Sequence, residues 1–202
     1  GSIDEANVGC SYTGGLCGIY NSAYRCDIKN AFIKYVKLLP NDGLLILNGD
    51  DSNCLDLQSH TTAKTITYGI TNKKTNFFAV NIVFDNDGFA EFDVYHNDEF
   101  FDRIKLSVPG MHNVLNALAC IAVCTEYGID KSSIKLALSK FTGAHRRFEF
   151  KGKIANKASV YDDYGHHPTE IIATAKSLMN KKYNKSWVVF QPHTYSRTKN
   201  LL

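Results

Sequence analysis

Two polar runs most restrict the fold of this chain: Asp162-Asp163-Tyr164-Gly165-His166-His167-Pro168-Thr169-Glu170 and Phe190-Gln191-Pro192-His193-Thr194-Tyr195-Ser196-Arg197-Thr198. Each follows a short, β-prone segment, Ala158 to Tyr161 before the first and Trp187 to Phe190 leading into the second. Between them, Pro168 suits the first turn of a helix, where its missing N–H is no loss. Ile171, Ile172, Ala175, Leu178 and Met179 then recur on one helical face. The order is strand, polar loop, helix, strand, polar loop. It predicts both runs beyond the carboxyl ends of neighbouring strands, where open α/β sheets bind ligands. Carboxylates, His166, His167, His193 and Arg197 gathered there point to chemistry on a charged substrate.

The rest of the chain reads as α/β as well. Asp27 is placed to cap a helix through Leu39, with Ala31, Phe32, Tyr35, Val36 and Leu39 as its apolar stripe. Leu44 to Leu47 is a continuous apolar run, the pattern of a strand buried on both faces of a parallel sheet. Thr65 to Tyr68 predicts another strand, and Leu16 to Tyr20 a short one. From Phe77 to Leu106 three β-rich segments, separated by Asp85-Asn86-Asp87-Gly88 and Asn97-Asp98, predict an antiparallel meander. A helix follows from about Asn113 to Tyr127, stopped by Gly128. Asp130 caps the next, through about Lys140. Phe141 to Arg147 reads as a hinge, and a second α/β unit starts near Phe148.

Charge is uneven. Residues 1–110 hold nine Lys/Arg and fourteen Asp/Glu, a net −5, whereas residues 111–202 hold fourteen and six, a net +8. The basic half would attract polyanions such as nucleotides, although lysines spread over a solvated surface give the same sum. No run of eighteen apolar residues exists, which argues against a membrane span. Gly1 to Ser11 lacks the basic start and apolar stretch of a signal peptide. The six cysteines form no C-x-x-C pair, and Cys120 and Cys124 sit one turn apart in an apolar helix, as buried free thiols would. This usage predicts a reducing cytoplasm rather than a disulfide framework.

Several residues are candidates for binding. Asn113 and Asn116 share a face near a helix start, and a carboxamide offers the donor and acceptor that match an adenine edge. Ordinary capping by Asn explains the same segment. Arg146-Arg147 lies in the hinge, where a guanidinium can reach a phosphate; a surface pair of basic residues is the plainer account. Asp163 at a strand end can accept from ribose hydroxyls. The histidines invite zinc, but His166 and His167 lack H-x-x-x-H spacing and Pro168 follows them, so the pattern argues against a metal site. A His–carboxylate acid/base site and a plain hydrogen-bonded loop remain open.

Taken together, Gly110-Met111-His112-Asn113-Val114-Leu115-Asn116-Ala117, Gly143-Ala144-His145-Arg146-Arg147-Phe148-Glu149, and the two polar runs resemble the Mur ligases in order and spacing. The resemblance covers residues 105–202 and extends over Ile28 to Asp51. The last two motifs are similar to the branch of the family that joins L-alanine to UDP-N-acetylmuramate. The resemblance implies a central ATPase domain, partly present as residues 1–144, and the start of a Rossmann-like C-terminal ligase domain at 145–202. The central domain should carry a mostly parallel sheet plus a small antiparallel meander. It implies ATP and Mg2+, no nucleic acid polymer and no membrane partner. It implies that ATP phosphorylates the lactyl carboxylate of UDP-N-acetylmuramate and that the alanine amine attacks the acyl phosphate, in cytoplasmic peptidoglycan precursor synthesis. Carried over by position, Asn113 and Asn116 would contact adenine with His112 beside them, Arg147 the phosphates and Asp163 the ribose. His166, His167, His193 and Arg197 would sit near the amino acid and acyl phosphate.

Two departures stand out. No G-x-x-x-x-G-K-[ST] phosphate loop occurs in the sequence. Ser22-Ala23-Tyr24-Arg25-Cys26 replaces the segment in which the family carries a magnesium-binding histidine. The chain therefore reads as a partial ligase that is inactive alone, or as a non-catalytic nucleotide-binding remnant or interaction module.

Overall fold

The computed structural model describes residues 22–155, 157–166, 168–179, 181 and 183–191. The first sheet holds five strands in sequential order: β1 (Leu44–Asn48), β2 (Lys64–Gly69), β3 (Phe77–Phe84), β4 (Phe89–His96) and β5 (Glu99–Pro109). β1, β2 and β3 run parallel, and β3, β4 and β5 antiparallel. The antiparallel meander predicted from sequence is present and continues the parallel sheet.

Burial explains why β1 is apolar from Leu44 to Leu47. Leu45 and Leu47 face one cluster with Val36 of helix α1 (Ser22–Val36) and Leu57, while Ile46 faces the main core. Side chains alternate across a strand, so a strand covered on both faces needs apolar residues at every position. Phe32 and Leu39 join Val36 in the smaller cluster, but Ala31 and Tyr35 are exposed. The helix also begins at Ser22 and ends at Val36, before the Pro40 turn, instead of spanning Asp27 to Leu39. Asp51 caps the short helix α2 (Ser52–Asp56), accepting from the Asn53 N–H at 2.8 Å. The Leu16–Tyr20 strand expected from sequence lies outside the described residues.

Helix α3 (Met111–Glu126) covers the main face of the sheet with Val114, Ala117, Leu118, Ala119, Ile121 and Ala122. These positions recur every three or four residues, and Ala and Leu suit a helix interior. It ends as the sequence predicted. The Ile129 N–H reaches the Cys124 carbonyl at 2.9 Å and the Gly128 N–H that of Thr125 at 3.0 Å, with Gly128 at φ +73°. That pairing satisfies the orphan carbonyls of a helix end. Helix α4 (Lys131–Lys140) packs on β5, and Asp130 accepts from the Ser133 N–H at 2.9 Å as its cap. Cys120 and Cys124 are free thiols 4.0 Å apart, but Cys120 is exposed rather than buried because it lies opposite the packed face.

The second unit opens with an antiparallel hairpin, β6 (Glu149–Ile154) and β7 (Ala158–Asp162), followed by α5 (Pro168–Met179). The expected strand, polar loop and helix are present in that order. Trp187 to Phe190 is not a strand: no described strand pairs with it, and Val188 and Val189 are 70% and 96% exposed. Strand-prone residues need a neighbouring ladder to fix them. No helix of the described residues is long and apolar enough to cross a membrane.

Candidate functional site

The start of α3 meets the second unit. Gly110 stands at the N-cap with φ 98° and ψ 148°, and a Cβ built there would lie 2.4 Å from Ser177 Oγ of α5. Only glycine adopts this backbone region easily, and only glycine leaves room for the buried Ser177. The contact brings helix α3 beside the loop that follows β7. His112 consequently lies within electrostatic reach of both Asp163 and Arg147, which come from later segments. Burial lowers its pKa below the ordinary 6.5; Asp163 opposes that shift and Arg147 adds to it.

Each candidate has a defined setting. Asn113 donates from Nδ2 to the Pro109 carbonyl at 2.8 Å and accepts at Oδ1 from Asn116 Nδ2 at 3.1 Å. The two carboxamides therefore share a face, as their spacing required. Part of their hydrogen-bonding capacity is spent on capping and on each other. Asp163 accepts from the Gly165 N–H and from Thr174 Oγ1, both at 2.7 Å, which ties the polar loop to α5. Each carboxylate oxygen keeps a second lone pair for another donor. His166 lies at 25% side-chain exposure with Nδ1 3.1 Å from the Tyr164 carbonyl. Arg147 donates from Nη1 to Glu170 Oε1 at 3.1 Å. His167, His193 and Arg197 lie outside the described residues.

The segment around Arg146 is shaped locally. Arg146 and Phe148 hold left-handed backbone at φ 56° and 48°, a costly conformation for side-chain-bearing residues. Surrounding bonds hold it. The Arg146 N–H donates to Glu149 Oε2 at 2.8 Å, its carbonyl accepts from the Tyr164 N–H at 2.8 Å, and its guanidinium lies 4.8 Å from the Tyr164 ring centre. Arg146 Nε also reaches Asp162 Oδ2 at 3.2 Å. This leaves the neighbouring Arg147 turned toward Glu170 and α3.

Sequence reasoning gave Glu170 no role. Its placement three residues after His167, in the first turn of α5, is a capping signal legible in sequence. Its bond to Arg147 is not. Among the described residues, no group of three or more His, Cys, Asp or Glu side chains is arranged to hold a metal ion. His166 Nδ1 lies 3.8 Å from Glu170 Oε2, and the other two histidines of the cluster lie outside the described residues.

Fold and junction define the class, an α/β protein in which a five-stranded sheet with its helices meets a second unit. The solved structure of MurF from Acinetobacter baumannii shares the fold, with a TM-score of 0.68 over 78% of this chain and 34% of that one, at 22% identity. The UDP-N-acetylmuramate-alanine ligase structure from Thermotoga maritima matches at 0.64 and 28% identity, over 79% of this chain and 34% of that one. The Mur ligase middle domain matches residues 23–124, and the Mur ligase glutamate ligase domain matches residues 146–201. The chain belongs to the Mur ligase family. It is 46% identical over 175 residues to the UDP-N-acetylmuramate–L-alanine ligase of Acetivibrio thermocellus, and 48% identical over 175 residues to that of Clostridium novyi. Each match covers 87% of this chain and 37% of the relative, so the chain spans well under half the length of these relatives.

Proposed function

We propose that the parent enzyme joins L-alanine to UDP-N-acetylmuramate at the expense of ATP, in peptidoglycan precursor synthesis, and that this chain carries part of its nucleotide site. The observation that supports the reading best is the convergence at His112. The asparagine-bearing start of α3 meets Asp163 and Arg147 of the second unit there. One nucleotide has the reach to touch all three. Residues 1–144 form part of the ATP-binding domain and residues 145–202 part of the C-terminal ligase domain.

In this reading Asn113 and Asn116 face the adenine edge beside His112, which burial keeps neutral near pH 7. Asp163 takes the ribose hydroxyls. Arg147 offers its remaining N–H groups to the phosphates, where a planar guanidinium binds bidentately. The lactyl carboxylate attacks the γ-phosphate and ADP leaves. The alanine amine then adds to the acyl carbon, and phosphate departs from the tetrahedral intermediate. By the family resemblance, His166, His167, His193 and Arg197 are the side chains assigned to that centre. Phosphoryl transfer of this kind depends on positioning and charge stabilisation. Mg2+ would accompany ATP; among the described residues no group of three or more His, Cys, Asp or Glu is arranged to hold it.

The absent G-x-x-x-x-G-K-[ST] sequence favours a second reading for the polypeptide by itself: nucleotide binding without turnover. Calorimetric titration with ATP and with adenosine tests the site, and ADP release with all three substrates tests turnover. The expected results are binding of both ligands and no ADP release by this chain. Failure to bind either ligand would remove the nucleotide reading, and steady ADP release would remove the inactive-fragment reading.

A further inference from the structure

Among the described residues, Glu170 accepts from two groups with two different oxygens. Oε2 accepts the His166 N–H at 3.1 Å, the reach-back bond of an acidic residue in a helix's first turn. Oε1 is turned away from that bond and holds Arg147 Nη1 at 3.1 Å across 23 residues of sequence. Capping needs only the first bond. The carboxylate is 17% exposed and the arginine 50% exposed, so the acid is the fixed partner and the guanidinium the mobile one. Glu170 is, moreover, the partner of the Arg147 guanidinium among the described residues, leaving the rest of its N–H fork for a ligand. Gly165 lies close by: a Cβ built there would meet Glu170 Cβ at 3.4 Å.

We propose that Glu170 is a positioning residue for phosphate binding: it holds Arg147 by one guanidinium nitrogen so that the opposite edge faces the phosphates of a nucleotide seated at α3. This rests on the nucleotide reading above. An unheld arginine samples many rotamers and must be ordered by the ligand, at a cost to affinity. An arginine already held by a carboxylate meets the phosphate in place, as with other residues fixed by supporting hydrogen bonds.

Calorimetry on the 202-residue chain, with ATP and adenosine as probes, tests the proposal. Glu170→Ala should weaken ATP binding about tenfold, the scale of one charge-assisted hydrogen bond, and leave adenosine binding unchanged. Arg147→Ala should show the same split. The double variant should be no weaker than Arg147→Ala, since Glu170 acts only through that arginine. Glu170→Gln keeps an acceptor for the His166 N–H and loses the charge that holds Arg147. It should show the ATP defect with an unfolding midpoint near that of the parent, which a purely structural role would not give. Unchanged ATP affinity in both Glu170 variants would overturn the proposal while leaving the nucleotide reading intact, and so would equal losses for ATP and adenosine. A parent chain that binds neither probe would overturn both, a distinct result.

Discussion

Replacing Gly110 by alanine tests the contact on which the site is built. The backbone there, at φ 98° and ψ 148°, belongs to a region nearly closed to side-chain-bearing residues; forcing one into it costs about 1–3 kcal/mol. The new Cβ would lie 2.4 Å from Ser177 Oγ, and 2.8 and 2.9 Å from Cε1 and Nδ1 of His112. Ordinary contact begins near 3.4 Å, so α3 and α5 must separate by roughly 1 Å, and overpacking of this kind costs about 1–3 kcal/mol more. Ser177 cannot turn aside freely, because it is buried and its hydroxyl donates to the Ala173 carbonyl at 2.9 Å. The total is about 4 kcal/mol, a large share of the 5–15 kcal/mol typical of a folded protein, and corresponds to a Tm lowered by about 10 °C. Urea unfolding followed by circular dichroism measures it. Adding Ser177→Ala should return about 1–2 kcal/mol by removing the clashing hydroxyl while the backbone strain persists. A Gly110→Ala chain within about 0.5 kcal/mol of the parent would refute the packing argument, since most surface substitutions fall in that range.

Further outcomes follow from named contacts. His112 should titrate below 6.5 by NMR. Arg147→Ala should raise its midpoint, and a midpoint at or above 6.5 in the parent would contradict the burial that lowers it. Because the folded value lies below the unfolded one, this histidine's contribution is complete above about pH 6.5 and lost as pH falls toward the folded value, with the unfolded chain taking the proton first. Asp130 should show the carboxylate pattern. Hydrogen bonds from Ser132 and Ser133 hold its pKa far below the usual range. The stability difference between parent and Asp130→Ala should persist above about pH 4 and shrink as acid protonates the cap. An undiminished difference at low pH would assign the effect elsewhere. Although Cys120 as a residue is exposed, desolvation of its sulfur on the helix surface, then the neighbouring Cys124, pushes the thiol up to about 11. Its alkylation at pH 8 should be slow in the folded chain and quicken in Cys124→Ala; equal rates in folded and unfolded protein would rule out the shift.

Much of the architecture was legible because it is local. The apolar Leu44–Leu47 run of β1, the β-rich meander with its Asp-Gly turn, the Gly128 stop and the Asp130 cap each carry their cause within a few residues. The motif order also pointed to the family. What sequence could not settle depends on neighbours distant in the chain. Trp187 to Phe190 has the composition of a strand, yet without a pairing edge among the described residues it is not one. Ala31 and Tyr35 follow helical periodicity, yet the sheet face they would need is not beside them, and they stay exposed. The same division runs through the site. Spacing alone set Asn113 and Asn116 on one helical face, because the helical repeat is a property of the local backbone. Only tertiary packing, with Gly110 against Ser177, brought Arg147, Asp163 and His112 together, and only it turned the second oxygen of Glu170 toward Arg147. Those contacts depend on where two segments distant in sequence meet, which no local pattern encodes.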